Sequence, residues 1–382
     1  MILDLLTGGS TAPPAFRRPV FAVRFGGGGA AGGLGVLASA VGSAIGVNVG
    51  GGASDPWKQH LVAVSVESGI APAVDAVEIW LTADPQAPTV ALDDEGTVSL
   101  GYQDDSPVLT FTGKIAGVRR GIGGLTRLTA TSGGAALARL RVNQSYEDQT
   151  AGDVVSDLAG QAEVAAGTVE DGIDLPFYVV DDRRSAWVHI AALARRSGYL
   201  AHMTPEGELF FGPYAPGDPV QTFTYGEDVL LLEAREGSPE VGAVTTWGEG
   251  SAGSQGKDAW SWLVKDPSAV QGSAGGGGPQ RWVHDPALRS GDAAQTAAEG
   301  IADAAGRLQV TGTLLVPGAP AVTAGSTIEI AGAPQEALNG KFLVRWVRHR
   351  LAKREGFTTR IAFSKSEGAA GGGLLGALGG LL

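Results

Sequence analysis

Apolar and polar positions alternate through the first third of the chain. In VFAVRF, Phe21, Val23 and Phe25 fall on one face, and in HLVAVSVE so do Val62, Val64 and Val66. In DAVEIWL, Val77, Ile79 and Leu81 alternate with Glu78 and Trp80. TVSLGY, VLTFTGKI and LTRLTATS follow, separated by Gly, Asp and Pro. A period of two with turn residues between runs predicts antiparallel strands, each burying one face, in a small barrel or sandwich.

The period changes in the middle. Thr150-Ala-Gly-Asp153 predicts a capped helix start, with Asp in place of the usual Glu. Val154, Leu158 and Ala162 then share a helical face, with Val155 and Ala159 beside them. A short strand is expected around Phe177–Val180. Ser185 can cap a second helix whose inner face is Trp187, Ile190, Ala191 and Ala194, with Gly198 as its stop. YLAHMTPEGELFF predicts a hairpin around Pro205–Gly207. The last part returns to strands in VGAVTTW, TGTLLV, STIEIAG, KFLVRWVRHRL and FTTRIAFS. A helix from Asp292 to Leu308 carries Ala297, Ile301, Ala305 and Leu308 on one stripe.

These patterns predict a mainly β chain with an α/β insert: two related antiparallel β-barrel domains flanking a small α/β domain. The expected division is an apolar arm at 1–14, a first β-barrel domain at 15–140 with a glycine-rich insertion at 26–54, and an α/β domain at 141–215. A second β-barrel domain at 216–366 contains a Gly/Ser-rich loop at 248–280, and a Gly/Leu-rich tail ends the chain at 367–382. The relatedness rests on an internal repeat. TVSLG at Thr97 resembles TIEIA at Thr327, GKIAGVRR at Gly113 resembles GKFLVRWVRHR at Gly340, and LTRLTATS at Leu125 resembles TTRIAFSK at Thr358.

Composition narrows the function classes. The 60 glycines show no G-X-Y period, so they mark turns, bulges and loops. A net charge of −12, spread along the chain, argues against a nucleic-acid binder with a basic face. The absence of cysteine removes disulfides, thiolate nucleophiles and cysteine metal sites together. MILDLLTGGS carries Asp4, no basic region and too short an apolar run for a signal peptide. The expected location is the cytoplasm of the producing cell, or a particle assembled there.

Candidate chemistry is sparse. GGGAAG at Gly27–Gly32 satisfies G-x-G-x-x-G after a strand, but the acidic Asp55 lies in a turn and the next strand joins an antiparallel series. That context does not suit a dinucleotide site. The uncharged run is long enough to span a membrane, yet 12 of the 27 residues from Gly26 to Gly52 are glycine. Leu34, Leu37, Val41 and Ile45 instead form one narrow stripe, which suits a short amphipathic helix in a long loop. His60, His189, His202, His284 and His349 show no metal-ligand spacing and read as packing or surface residues. Asp93-Asp94-Glu95, Asp104-Asp105 and Asp181-Asp182 sit in turn-like sequence, and nothing favours one pair as a glycosidase couple. No catalytic constellation, cofactor site or metal site is expected, and the chain reads as a non-enzyme.

Three segments carry a resemblance. VNQSYEDQTAGDVVSDLAGQAEVAAG resembles the part of the phage late control D, or tail-hub, family in which a Thr-capped helix follows a strand. LPFYVVDDRRSAWVHIAALARRSGYLAHMTPEGELFFGPY resembles its next segment of strand, helix, Gly and hairpin. VPGAPAVTAGSTIEIAGAPQEALNGKFLVRWVRHRLAKREGFTTRIAFSK resembles its closing block, and the likeness covers roughly residues 15 to 365. It implies a non-enzymatic baseplate hub of a contractile tail or contractile injection system. That hub is a homotrimer of a two-barrel fold, joining a hexameric inner tube protein to a trimeric spike protein among other baseplate proteins. Two similar barrels in each of three chains would present six similar faces around one axis.

The glycine-rich insertion and the tail EGAAGGGLLGALGGLL depart from that pattern. Leu374, Leu375, Leu378, Leu381 and Leu382 form a helical stripe in the tail. This stripe and that of Leu34, Leu37, Val41 and Ile45 are the expected partner interfaces. Two other classes stay open: a peptidoglycan-binding or -hydrolysing tail component, using the eight scattered Trp, and a membrane-docking adaptor using the two apolar segments.

Overall fold

A computed structural model of the chain describes residues 17–26, 55–121, 124–238, 240–248 and 270–368. Each alternating run of the first third is a strand: β1 (Pro19–Phe25), β2 (Leu61–Gly69), β3 (Ala76–Thr82), β4 (Glu95–Tyr102), β5 (Val108–Arg119) and β6 (Leu125–Thr131). They pair antiparallel in the order β1-β4-β5-β6-β3-β2. Val77, Ile79 and Leu81 are fully buried while Glu78 and Trp80 are not, as the alternation requires. Short helices α1 (Pro56–His60) and α2 (Gly134–Arg139) lie before β2 and after β6.

The insert comprises β7 (Gln144–Thr150), α3 (Ala151–Gln161), β8 (Ala166–Val169), β9 (Asp174–Val180), α4 (Ala186–Ser197), β10 (Tyr199–Met203) and β11 (Leu209–Pro213). The cap before α3 is complete: Asp153 N–H donates to Thr150 Oγ1 at 3.0 Å, and Thr150 N–H donates to Asp153 Oδ2 at 2.9 Å. The shorter Asp serves where Glu is usual. Ser185 caps α4, and Gly198 ends it in the left-handed region at φ 70°. The buried face of α4 is Trp187, Ile190, Leu193 and Ala194, so Leu193 takes the place expected for Ala191, which is half-buried. β10 and β11 form the expected hairpin, and β8 joins β11 in parallel. Trp187, Ile190, Leu193, Leu158, Leu175 and Phe211 form the core between these layers.

The remainder is β12 (Thr222–Thr224), β13 (Leu231–Glu236), β14 (Ala243–Trp247), β15 (Gln271–Gly275), β16 (Gln280–His284), α5 (Gly291–Arg307), β17 (Val310–Pro317), β18 (Thr327–Ala331), β19 (Gly340–Ala352) and β20 (Gly356–Lys365). Two expectations are corrected here. Part of the segment expected as a Gly/Ser-rich loop is strand: β15 pairs antiparallel with β14, and β16 lies parallel on its other side. Glycine is needed in β15 because a Cβ on Gly272 would collide with the α5 backbone at Ala294. The buried face of α5 is Ala293, Ala294, Ala297, Ala298 and Ala302, while Leu308 is 49% exposed. Close approach to β15 selects the alanines and turns the bulkier Leu308 outward; Thr246 Oγ1 seals the approach by donating to Ala294 O at 2.6 Å.

The repeat is structural. Six strands of the second half pair in the order β12-β18-β19-β20-β17-β13, which is the order of the first six with each strand replaced by its counterpart. Registers agree as well. β3 meets β6 from Ala76↔Thr131 to Thr82↔Leu125, and β17 meets β20 from Thr311↔Ser364 to Pro317↔Thr358. β5 against β6 skips Ala116, and β19 against β20 skips Arg345 at the equivalent place. Ile115 exchanges backbone hydrogen bonds with Asp93 and Asp94, and Val344 does so with Gly325 and Ser326. Asp93 and Gly325 both have positive φ, 64° and 82°. One strand breaks the pattern: β1 is antiparallel to β4, whereas β12 is parallel to β18.

The fold is mainly β with an α/β insert, as expected, but the strands do not pair as two closed barrels. Among the described residues, both six-strand units belong to one 12-stranded sheet whose main path runs from β1 to β13 without closing. The units join because β19 is long. Its first part pairs with β18, and Trp346–Ala352 pairs with β2. Each unit keeps its own core: Ile79, Leu100, Ile115 and Leu128 in one, Leu314, Ile330, Val344 and Ile361 in the other.

Candidate functional site

The residues of the two apolar stripes, Leu34, Leu37, Val41, Ile45, Leu374, Leu375, Leu378, Leu381 and Leu382, lie outside the described residues. The histidines and acidic clusters lie within them.

His349 is buried with both nitrogens engaged. Its Nε2 donates to Val322 O at 3.0 Å, so its Nδ1 accepts from Thr359 Oγ1 at 3.0 Å. Thr359 Oγ1 in turn accepts from Ala319 N–H at 2.8 Å. Burial pushes the imidazole down to about 4, so it is neutral and ties the 319–322 turn to β19 and β20. His60 is buried beside Thr82 Oγ1 at 2.9 Å, and His202 stacks on Phe210 with ring centroids 4.8 Å apart. Among the acids, Asp94 accepts from Ala91 N–H, Glu95 pairs with Lys114, Asp105 with Arg17 and Asp181 with Arg183. These carboxylates hold turns and strand ends.

Two polar features carry no sequence signature. In the first, Arg196 on α4 grips Asp285 through two hydrogen bonds of 2.7 and 3.1 Å, and also donates to Tyr178 OH at 3.4 Å. Tyr178 OH lies 3.3 Å from His189 Nδ1, and His189 Nε2 lies 3.1 Å from Asp181 O. Burial holds the Tyr178 hydroxyl above and the His189 imidazole below their ordinary values, so both are neutral near pH 7. Asp285 also accepts from Ala287 N–H at 3.1 Å. This chain of polar groups ties the insert to the turn before α5; its carboxylate accepts three hydrogen bonds and its histidine has both nitrogens engaged. It borders a cavity of about 500 Å³ lined also by Arg195, Arg235, Arg281 and Arg345. The second feature is Asp75, buried in the β2–β3 connection, whose carboxyl accepts from Gly69 N–H at 3.0 Å. Burial pushes that carboxyl up to about 7 against the pull of the hydrogen bond. Among the described residues, no three His, Asp or Glu side chains are placed to hold a metal ion, and no helix is long and apolar enough to cross a membrane.

The surfaces with the clearest structural meaning are strand edges. The β2–β19 joint is a ladder of seven pairs from Ala63↔Ala352 to Gly69↔Trp346. Ile70 N–H extends it to Arg345 O at 3.1 Å and Lys353 N–H to Val62 O at 3.1 Å. Arg348 Nε donates to Glu67 Oε1 across it at 2.7 Å. The register equivalences move Ala63–Glu67 of β2 onto Leu231–Arg235 of β13, and Trp346–Arg348 of β19 onto Gly117–Arg119 of β5. Among the described residues, β13 pairs with β17 alone, and Gly117–Arg119 pair with β6 alone. Each therefore has one backbone edge without a strand beside it.

No protein-family model matches the chain, and no curated protein does. Solved structures do. A 43 kDa tail protein of prophage MuSo2 from Shewanella oneidensis is 9% identical, covers 91% of this chain and 98% of its own, and gives a TM-score of 0.62. A tail protein from Neisseria meningitidis is 15% identical over 80% of this chain and 92% of its own, with a TM-score of 0.60. An Escherichia coli component of the type VI secretion system, which has structural similarity to T4 bacteriophage tail proteins gp27 and gp5, is 11% identical over 81% and 75%, with a TM-score of 0.50. The chain has the fold of phage tail proteins, which the sequence resemblance implied.

Proposed function

We propose that the chain is a structural component of a phage-tail-like particle: the baseplate hub, a homotrimer placed between the hexameric inner tube and the trimeric spike. The observation that carries this reading is the repeat of one six-strand unit, with shared strand order and register, inside a chain of tail-protein fold. Two such units in each of three chains offer six similar faces to a sixfold tube and a threefold axis to a spike. The polar clusters support the same reading, because their groups hold turns and layers together. The apolar stripes at Leu34–Ile45 and Leu374–Leu381 are proposed contacts to other baseplate proteins.

Deletion of the chain from a producing cell tests this. Electron microscopy should then show no complete tails, or tubes lacking a spike, and complementation should restore them. Intact, spike-bearing particles without the chain would refute the hub role. Cell-wall zymography of the purified chain should show no lysis; lysis abolished by changing one carboxylate would favour the peptidoglycan-hydrolysing alternative.

A further inference from the structure

Helix α5 carries a second apolar flank that the core does not use. Its buried side meets the small sheet: Ala298 and Ala302 pack with Val244, and Ala294 lies against Gly272. Ile301, Ala305 and Leu308 follow one another along a different flank and line the cavity of about 500 Å³. Arg281 and Val283 of β16 line it too. They alternate with Trp282 and pair with Val244 and Thr246, so they share the sheet face turned to α5. Arg195 comes from α4, Arg235 from β13 and Arg345 from β19, where it is the residue that β20 skips. A bulge re-aims the side chain it holds, and here it adds a guanidinium to the cavity.

Five arginines thus line one cavity in a chain whose net charge is −12. Arg196 is engaged with Asp285. Among the described residues, no hydrogen bond or ion pair engages the side chains of Arg195, Arg235, Arg281 or Arg345, and Glu240 is the one other carboxylate lining the cavity. Uncompensated cations repel one another, and a concave site concentrates their field. Carboxylates suit them, because a guanidinium can hold one through two parallel hydrogen bonds. The apolar flank calls for more than a bare anion. A second cavity of about 460 Å³ shares Arg195, Ala304, Leu308 and Arg345 with the first and adds Arg184 and Arg307. The cleft therefore continues past Leu308, which suits a length of polypeptide better than one compact ligand. We propose that this cleft docks an acidic amphipathic segment of a partner protein. Apolar side chains of the segment cover Ile301, Ala305 and Leu308, and its carboxylates meet the free arginines. Leu308, 49% exposed in the chain alone, is then the anchor point. The inference goes beyond the hub reading and does not depend on it.

The test uses the full chain and a fluorescein-labelled helical peptide with Leu on one face and Glu on its flanks, read by anisotropy. The peptide should bind saturably, and more weakly as salt rises. The same peptide with Lys for Glu, polyglutamate without leucine, and single-stranded DNA should each bind at least several-fold more weakly. Arg281→Glu and Leu308→Ser change exposed side chains, so both variants should keep the circular dichroism of the parent. Each should weaken binding of the acidic peptide several-fold, and only Arg281→Glu should flatten its salt dependence. The chain with both Arg235→Glu and Arg281→Glu should bind the Lys peptide better than the parent does. Absence of saturable binding overturns the proposal. Equal binding of polyglutamate or DNA also overturns it, by showing a general anion site. An affinity that neither substitution changes overturns it as well, by placing the peptide elsewhere. None of these outcomes bears on the deletion phenotype that tests the hub role.

Discussion

Single residues show how the chain places charge under its surface. Asp75 is buried with one N–H donor, and its carboxyl sits near 7 instead of near 4. From about pH 4 to 7 the unfolded chain has lost this proton while the folded chain retains it, so stability falls as pH rises through that window. Asp75→Asn keeps an oxygen for the Gly69 N–H and removes the titration. Urea midpoints should therefore decline from pH 4.5 to 7.5 more steeply in the parent than in the variant; parallel profiles would show that Asp75 ionises normally. His349 acts in the opposite direction. Its folded value near 4 lies below the ordinary one, so its contribution is present above about 6.5 and is lost as pH falls toward 4. Arg196 and Asp285 are both largely buried, and Arg196→Ala leaves Asp285 without its cation. A loss of about 3–5 kcal/mol is expected in chemical denaturation. Arg183→Ala, at a pair whose arginine is 85% exposed, should leave stability nearly unchanged.

At the scale of elements, close approach governs the α4–α5 crossing. A Cβ on Gly300 would lie 2.5 Å from the Gly198 Cα, so the helices meet backbone to backbone. Gly300→Ala should cost about 1–3 kcal/mol by overpacking despite the better helix propensity of alanine, measured by thermal or urea denaturation. A stabilised variant would mean that the helices separate easily. Elements with a regular pattern were legible in the sequence: the six strands of the first unit, the Thr150 and Ser185 caps and the Gly198 stop all form. Elements without one were hidden. β13, LLEARE, shows no clean alternation because Leu232 alone packs against a core, and β15, QGSAG, has the composition of a loop. Relatedness of the units was readable, and so was one register, Leu125 against Thr358, but the registers of β4 and β5 were not. The sequence sets Gly113 against Gly340 and Thr97 against Thr327, whereas the pairings set Gly113 against Phe342 and Glu95 against Thr327. A shift of two residues keeps every side chain on its face, so the apolar pattern cannot detect it. The free edges depend on that register and were invisible for the same reason.

For the molecule as a whole, the joint couples two cores. Leu351 of β19 and Phe357 of β20 pack into the core of the first unit although their strands belong to the second. Leu351→Ala should cost about 2–5 kcal/mol and shift the unfolding of both units together. Hydrogen exchange of Ile79, in β3, and of Ile361, in β20, can follow the two halves separately. A loss confined to the first half would show that the units unfold independently. Removal of residues 368–382 tests the remaining surface class: equal, negligible flotation of parent and truncated chain with liposomes would remove the tail as a membrane anchor.

The length of β19 has a mechanical consequence. Hydrogen bonds of an antiparallel ladder stand perpendicular to its strands. Tension along β2 and β19 strains the seven-pair joint in shear, with its rungs sharing the force. Tension across the strands would open the rungs one after another, like a zipper. The orientation of β19 to an applied pull therefore sets how firmly the two units hold together.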